Sequence, residues 1–276
     1  MRRMVRTLLF ALVFLSTTVL IFPQGRKTRT PSPSYLEVPF DPASERLPVR
    51  FLGHDVIALY DAAKRLQGAE KAEYETVDQF KKRIEAAESK FFMGSPSENT
   101  LAFVAPAVSK YDADSGVLRM GVKCSDPGGT QKTVSASIVI WHVDEARDFV
   151  ATNVYGARVP AHKAHIESYQ ITVDNPGAWP LETIGESNTS AAKDLIVTSV
   201  QASPDEARRT KATLSALVIC TMRRGKQLIF EDSILREATF DHPEEYSENM
   251  HFLNTSLRAV WFFDQSGKVY ARVSAK

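Results

Sequence analysis

The sequence lacks the local motifs that identify the common enzyme and cofactor-binding classes. It holds only two cysteines in 276 residues. No Cys-x-x-Cys pair, Gly-x-Ser-x-Gly elbow, phosphate-binding loop or His-Glu-x-x-His zinc motif is present. These absences exclude the sites that such motifs define, and we therefore expect no cofactor and no metal. A catalytic site assembled from distant residues would leave no such motif.

The chain also lacks an excess of positive charge. Its 34 Lys and Arg against 33 Asp and Glu give a formal net charge of +1. Six of the basic residues and no acidic residue lie in residues 1–30, which leaves 28 basic against 33 acidic residues for the rest. A mildly acidic surface without a basic stripe argues against nucleic acid as a partner. We expect no membrane contact beyond an N-terminal anchor.

A long membrane-spanning run is missing as well. Residues 8–22 are mostly apolar and follow three arginines, Arg2, Arg3 and Arg6, which is the order of an export signal. The run has about 15 residues, against the roughly 20 that a spanning helix needs. Two interpretations remain open: an export signal in residues 1–25, or an uncleaved anchor through residues 7–23. Both predict an exported protein, periplasmic or secreted.

Proline is concentrated near the N-terminus. Residues 23–48 contain six prolines among Ser, Arg and Lys, which is typical of a linker. We expect a Pro-rich linker over residues 26–50 and folded structure from about Phe51. Residues 51–276 are then one α+β domain, with a potential division into two β units near residues 175–191, where Pro, Gly, Ser and Asn accumulate.

Two helices are predicted directly after the linker. Residues 55–66 form an apolar face that ends before Gly68. The next segment has the clearest helical pattern in the chain, because its apolar residues recur every three or four positions: Val77, Phe80, Ile84, Ala87 and Phe91. Thr76 and Gln79 make a capping box at its start. We expect this stripe to be buried across a sheet, so that Phe80→Ala is strongly destabilising.

Beyond Pro96 the apolar period changes from 3.6 to about 2, which indicates strands. Residues 101–108 and 117–124 flank a turn-rich segment and predict a hairpin. Residues 256–263 and 268–273 predict another. The predicted fold class is α+β, with an N-terminal helix pair packed on a mostly antiparallel β-sandwich or barrel-like sheet of about nine strands.

The two cysteines lie on the apolar side of predicted strands. Cys124 alternates with Met120 and Val122, and Cys220 alternates with Ala216 and Val218. Both are therefore expected to point inward. After export they would meet an oxidising compartment. The alternatives are a Cys124–Cys220 disulfide and two buried thiols that act as small apolar side chains.

The densest group of titratable residues is residues 241–251. If this segment is a helix, Glu245, Glu248 and His251 project from neighbouring rows, which makes them the first candidates for acid–base chemistry. A carboxylate-bridged metal site would need a second Glu-x-x-His pair, and the sequence contains no second pair. The alternative is a solvated loop or a single helical turn.

One segment resembles a known type of sequence. Residues 71–84, with Glu-Tyr-Glu-Thr at 73–76, Phe80 and Arg-Ile at 83–84, resemble a helix module of uncharacterised exported bacterial proteins. Residues 153–156 and the aromatic-rich residues 246–263 fit the same proteins loosely. The resemblance implies a cell-envelope or secreted location. It implies no activity and assigns no site residues.

Two functions from different classes follow. The first is an exported, non-catalytic β-rich protein that binds another envelope protein or an envelope polymer through its sheet surface or its aromatic C-terminal strands. Those strands would place part of an aromatic set on their outer face: Tyr246, Phe252, Trp261, Phe262 and Phe263. The second is an envelope hydrolase that uses carboxylate, His or metal chemistry near residues 241–251.

Overall fold

The structure is a computed structural model. It describes residues 34–92, 99–124, 126–127, 134–152, 156, 158–182, 195–223, 227–239 and 243–275. The predicted export signal, Asp241 and His242 lie outside these residues. So do residues 153–155 and most of residues 175–191. Of the helices that are described, none is both long and apolar enough to cross a bilayer.

The described residues form three α-helices and eleven strands. The helices are α1 (Val56–Gln67), α2 (Val77–Phe91) and α3 (Pro204–Thr213). The first six strands are β1 (Thr100–Asp112), β2 (Val117–Lys123), β3 (Ser137–Thr152), β4 (Arg158–Thr172), β5 (Leu181–Glu182) and β6 (Leu195–Gln201). The last five are β7 (Ser215–Met222), β8 (Ile229–Arg236), β9 (Glu244–Leu253), β10 (Thr255–Phe263) and β11 (Val269–Ser274).

The strands form two sheets. The larger has seven strands in the order β11-β10-β7-β1-β2-β6-β5, and the smaller has four in the order β3-β4-β9-β8. Within these sheets β4 and β9 pair in parallel, and the other pairs are antiparallel. The predicted α+β class with mostly antiparallel pairing is confirmed. So are the β1–β2 and β10–β11 hairpins, where alternation and turn residues agree.

The main core contains side chains from both sheets and from α1. Its fully buried members include Phe103 on β1, Ile171 on β4, Val260 on β10 and Ala63 on α1. Within β1, β2 and β7 the residues of this core recur at every second position, so the pleat directs their side chains to one side of the sheet. The alternation that predicted the strands is therefore the alternation that fills this core.

A second core lies on the opposite face of the seven-stranded sheet, under the start of the described chain. Phe40 and Leu47 are buried there against Leu217, Trp261 and Phe263. Backbone hydrogen bonds from Phe40 to Thr100 and from Leu47 to Gly267 hold this N-terminal segment on the sheet. Its described part therefore packs on the domain, in contrast to the expectation that folded structure begins near Phe51.

Two glycines allow this close packing. Gly53 has φ +68°, and a Cβ there would lie 2.4 Å from the carbonyl oxygen of Ala102. Gly267 has φ +82°, and a Cβ there would lie 1.9 Å from the carbonyl oxygen of Leu47. Both positions need a residue without a side chain. The N-terminal segment and the sheet thus approach each other at distances that only glycine permits.

His54 fastens the same segment just before α1. Its Nδ1 accepts a hydrogen bond from the Ala102 amide at 3.0 Å, so the proton is on Nε2, which lies 3.0 Å from the Val38 carbonyl. Burial lowers the pKa of His54. The neutral ring therefore links residue 38 to strand β1.

Of the five aromatic residues expected to form an outer surface, only Tyr246 keeps exposed area. Phe252, Trp261, Phe262 and Phe263 are all buried. Alternation does place Trp261 and Phe263 on the side away from the main core, but Phe40 and Leu47 cover that side. Trp261 and Phe263 therefore form no exposed aromatic patch, because the N-terminal segment, which its composition predicts to be a linker, packs on them.

The two N-terminal helices are not packed on the sheet together as a pair. Helix α1 buries Val56, Tyr60 and Ala63 and contacts β4, β8 and β9. Helix α2 buries only Phe91, and Val77, the first residue of its stripe, is 70% exposed. The expected helical segment and its capping box are present, but the stripe does not cross the sheet.

The two cysteines are buried, as their strand phase predicted. No disulfide joins them. Cys220 lies on β7 and Cys124 directly follows β2, and β1 runs between these strands. Two strand spacings are about 9.6 Å, which exceeds the roughly 7 Å that a disulfide can span between Cα atoms. Burial also raises the pKa of the Cys220 thiol to about 12, so it is unreactive at neutral pH.

Candidate functional site

The outer part of the four-stranded sheet has one face on which no side chain is buried. We call this the open face and define it by alternation and strand register. Its residues are Trp141, Val143, Glu145 and Arg147 on β3; Lys163, His165, Glu167 and Tyr169 on β4; Glu245, Ser247, Asn249 and His251 on β9; and Glu231, Ser233 and Leu235 on β8. Four rows along the strands cover about 20 Å.

The inner row of the open face is aromatic. The ring centroids of Trp141 and Tyr169 are 5.7 Å apart, and those of Tyr169 and His251 are 4.7 Å apart. Tyr60 of α1 packs on His251 with the centroids 5.0 Å apart. Trp141 ends this row at the sheet edge and is 39% exposed. The row is therefore closed by α1 at one end and open to solvent at the other.

His251 lies between two carboxylates. Its Nε2 is 3.3 Å from Glu167 Oε1, and its Nδ1 is 3.9 Å from Glu231 Oε1. Nδ1 is also 3.3 Å from the Tyr60 hydroxyl. The doubly protonated ring can donate to both sides, whereas the neutral ring can donate to one only. The imidazole of His251 thus lies between groups of β4, β8 and α1.

Glu231 connects this histidine to α1. The Tyr60 hydroxyl and the Lys64 ammonium each donate to Glu231 Oε1 at 2.6 Å. These two hydrogen bonds, that from Lys64 first, lower the pKa of Glu231. Burial, followed by the contact with Glu231, raises the pKa of Tyr60. Glu231 is therefore a carboxylate and Tyr60 a neutral donor at neutral pH.

The outer rows of the open face are polar and carry both signs of charge. Lys163 pairs with Glu245, and His165 Nδ1 lies 2.9 Å from the Ser247 hydroxyl. Lys163, His165 and Ser247 line a shallow cavity of about 480 Å³ together with Glu145 and Arg147 from β3. The open face thus runs from an aromatic row to a set of paired hydrogen-bonding groups.

The residues proposed from sequence fall on two faces of one strand. Residues 244–253 form β9 instead of a helix, a loop or a single turn, so positions three apart point in opposite directions. Glu245 and His251 are on the open face, but six residues of strand separate them by about 20 Å. Glu248 is on the opposite face. The trio Glu245, Glu248 and His251 therefore does not converge.

Glu248 belongs to a separate polar group. It accepts hydrogen bonds from the Tyr246 hydroxyl at 2.6 Å and from Ser168 at 3.4 Å. Burial, with the contact to Glu248 next, raises the pKa of Tyr246 to about 12. This group orders the back of β9 and has no contact with His251.

The true neighbours of His251 were missed because they are far away in sequence. Tyr60 is 191 positions from His251 and 171 positions from Glu231. By sequence, Tyr60 is one residue of the apolar face of residues 55–66, and Glu231 lies in no motif. The single signal was the break in alternation at Glu167 and Tyr169, where polar and aromatic residues share one face of β4.

A metal site is not formed by these groups. Nowhere in the described part of the chain do three His, Cys, Asp or Glu side chains come close enough to hold an ion. The carboxylates around His251 instead take Lys64 and two tyrosines as partners.

Comparisons with known proteins add no assignment. No family model, curated protein or solved structure matches this chain. The resemblance of residues 71–84 to an exported helix module therefore stays a prediction.

Proposed function

We propose that this chain is an exported, non-catalytic β-rich protein of the cell envelope that binds another envelope component through its open face. The order of basic and apolar residues in 1–25 supports export. The open face supports binding, because it presents 15 side chains of which none is buried. This second observation carries the proposal.

The chemistry of the open face favours a hydrated polymer over an apolar protein surface. Its outer rows hold two acidic groups and three basic or imidazole groups, among which Lys163 pairs with Glu245 and His165 with Ser247. Such a surface offers hydrogen bonds without a strong field of one sign. The ring of Trp141 supplies a flat apolar area at the edge. An envelope glycan combines many hydroxyl groups with flat apolar ring faces and matches this surface.

The test uses two adjacent residues of β3 that point to opposite faces. Trp141 is on the open face and His142 is on the other, and both are exposed. We expect Trp141→Ala to weaken retention of the purified chain on protein-free peptidoglycan by about tenfold, the effect of 1.4 kcal/mol. His142→Ala should bind as the parent does. Equal retention of both variants, or no retention of the parent, would show that the face does not bind this polymer.

Export is tested separately. A fusion of residues 1–50 to a reporter that is active only outside the cytoplasm should give signal. The matched control replaces Leu8, Leu9 and Phe10 by Asp, which removes the apolar run. A silent parent fusion would contradict the proposed location and leave the binding test unaffected.

A second candidate function rests on His251 between Glu167 and Glu231. A histidine flanked by carboxylates in a partly open site is an arrangement for general acid–base catalysis, which keeps the envelope hydrolase as the alternative. A screen of ester, glycoside and peptide substrates tests it. Turnover that is lost in His251→Gln but kept in Glu248→Gln, on the opposite face, would favour catalysis over binding.

A further inference from the structure

A second concave surface lies between α1 and α2, away from the open face. It is a cleft of about 700 Å³, within the range of 300–1,000 Å³ that is usual for small-molecule sites. Apolar residues of both helices form its walls: Leu59, Ala62 and Leu66 from α1, and Ile84, Ala87 and Phe91 from α2. The stripe that was expected to cover the sheet is one wall of this cleft.

The cleft stays open because α2 is fixed by its own N-terminal contacts. Arg83 donates two hydrogen bonds to the Glu75 carboxylate, at 2.9 and 2.8 Å, and a third to the carbonyl of Glu70 at 2.9 Å. Thr76 and Gln79 complete the capping box. These contacts hold the helix without full packing of its stripe, so Ile84 and Ala87 keep exposed surface.

The rim of the cleft carries unpaired positive charge. Arg65 and Lys90 both line it, and neither forms an ion pair with another described residue. Of the two acids in the lining, Asp55 already accepts the amides of Ile57 and Ala58 at the start of α1. The other, Glu37, is exposed and forms no ion pair with a described residue, so Arg65 and Lys90 together exceed it by one charge. The rim can therefore receive an anion, although the chain beyond residue 30 is acidic overall.

The two apolar walls of the cleft have similar lengths. From Ile84 to Phe91 the helix rises about 10 Å, and from Leu59 to Leu66 by a similar length. Two apolar walls of this length can hold a linear acyl chain. The basic rim adds a preference for a negative group at the end of that chain.

We propose that the cleft between α1 and α2 binds a free fatty acid, with the acyl chain between the two helices and the carboxylate at the basic rim. The stripe of α2 is then a ligand wall that the bound chain covers. This binding does not depend on the open face, since none of the open-face residues, including Trp141, lines the cleft.

The experiment measures binding of dodecanoate to the purified full chain by calorimetry, below the concentration at which micelles form. Dodecyltrimethylammonium, with the same tail and the opposite charge, is the matched ligand control. We expect dodecanoate to bind at least about tenfold more tightly than the ammonium compound. Equal affinity would overturn the proposal, because the basic rim would then have no role.

Three variants locate the site. Ala87→Trp fills the cleft from an exposed position and should weaken dodecanoate binding by at least about tenfold. Arg65→Glu should weaken dodecanoate and strengthen the ammonium compound, while Lys82→Glu, which is exposed and outside the cleft, should change neither. Because Arg65 is also exposed, Arg65→Glu remains informative if Ala87→Trp folds poorly.

Several results would overturn the proposal. Absence of dodecanoate binding to the parent would do so, as would equal binding by the parent, Ala87→Trp and Arg65→Glu. A parent chain that is dimeric in sedimentation, and that Ala87→Trp converts to a monomer, would show instead that a second copy fills the cleft. Loss of glycan retention in Trp141→Ala has no bearing here, so failure of one proposal is distinguishable from failure of the other.

Discussion

Helices α1 and α2 are neighbours in sequence and contact each other, yet they are stabilised in different ways. Helix α1 buries Tyr60 and Ala63 in the main core and binds β8 through Glu231. Helix α2 has the more regular apolar stripe, but only Phe91 at its end is buried. Its contacts are mostly with its own N-terminal loop through Arg83 and Thr76.

The difference shows what periodicity and capping can predict. A capping box and a 3.6-residue period are local features, and both predict that a helix forms and where it begins. Neither states which surface the helix will contact. In α2 the local features are strong and the tertiary contacts few, whereas in α1 a single Asp cap is combined with a buried face. Stability should therefore respond to core substitutions in α1 and only weakly to those in α2.

The largest effect is expected at Tyr60. Tyr60→Ala would leave a cavity in the main core and remove one partner of Glu231, so we expect a loss of about 3 to 5 kcal/mol in the free energy of unfolding. Denaturant unfolding followed by circular dichroism measures it. Tyr60→Phe keeps the ring and loses the hydroxyl, so it should cost about 1 to 3 kcal/mol. A loss below 1 kcal/mol in Tyr60→Ala would mean that α1 is not part of the core.

A smaller effect is expected at Phe80. The stripe predicts a large loss for Phe80→Ala if it is buried under a sheet, but Phe80 is only half-buried and rests on Arg83, with 5.1 Å between the guanidinium carbon and the ring centroid. We therefore expect a loss of no more than about 1.5 kcal/mol. Lys82→Ala, on the exposed side, should be neutral. A loss of 3 kcal/mol or more for Phe80→Ala would restore the original interpretation of the stripe.

The difference between local pattern and tertiary contact also explains which strands were predicted from the sequence. Residues 117–123 and 255–263 were predicted well because one of their faces is buried along the whole length, and burial is what alternation records. Strand β9 was missed because the outer half of its sheet has two solvent-exposed faces, so residues 244–249 are polar on both sides. Strand β3 likewise extends to Thr152 through residues that have no apolar pattern.

The candidate site was less predictable than the fold. His251 was selected, but its partners come from α1, β4 and β8. Which of these elements meet is set by the parallel pairing of β4 with β9, a non-local contact that no single segment encodes. The cleft could not be predicted at all, since a stripe that lines a cavity and one that covers a sheet have the same sequence period.

Removing the cap of either helix should destabilise that helix by a similar amount, but the two substitutions should differ in their effect on the rest of the domain. Thr76→Ala removes the capping box of α2, and Asp55→Ala removes the side chain that accepts two amides at the start of α1. Each should cost about 1 kcal/mol locally. Hydrogen exchange should show the loss for Thr76→Ala in α2 amides alone, and the loss for Asp55→Ala across the main core. Loss across the core in both variants would mean that α2 unfolds together with the domain.

The smallest effect is a pH dependence confined to α2. Hydrogen bonds from Arg83 lower the pKa of Glu75 to about 2, from an ordinary value of 4.5. Because the folded pKa lies below the unfolded one, the contribution of this pair is complete above about pH 4.5 and is lost as the pH falls toward 2. Amide exchange in α2 should therefore accelerate between pH 4.5 and 2, relative to α1 and after correction for intrinsic rates. In Arg83→Gln this relative acceleration should become much smaller, because the largest cause of the lowered Glu75 pKa is removed. If the parent and Arg83→Gln show the same pH dependence, the pair does not hold α2, and the open cleft between the helices needs another explanation.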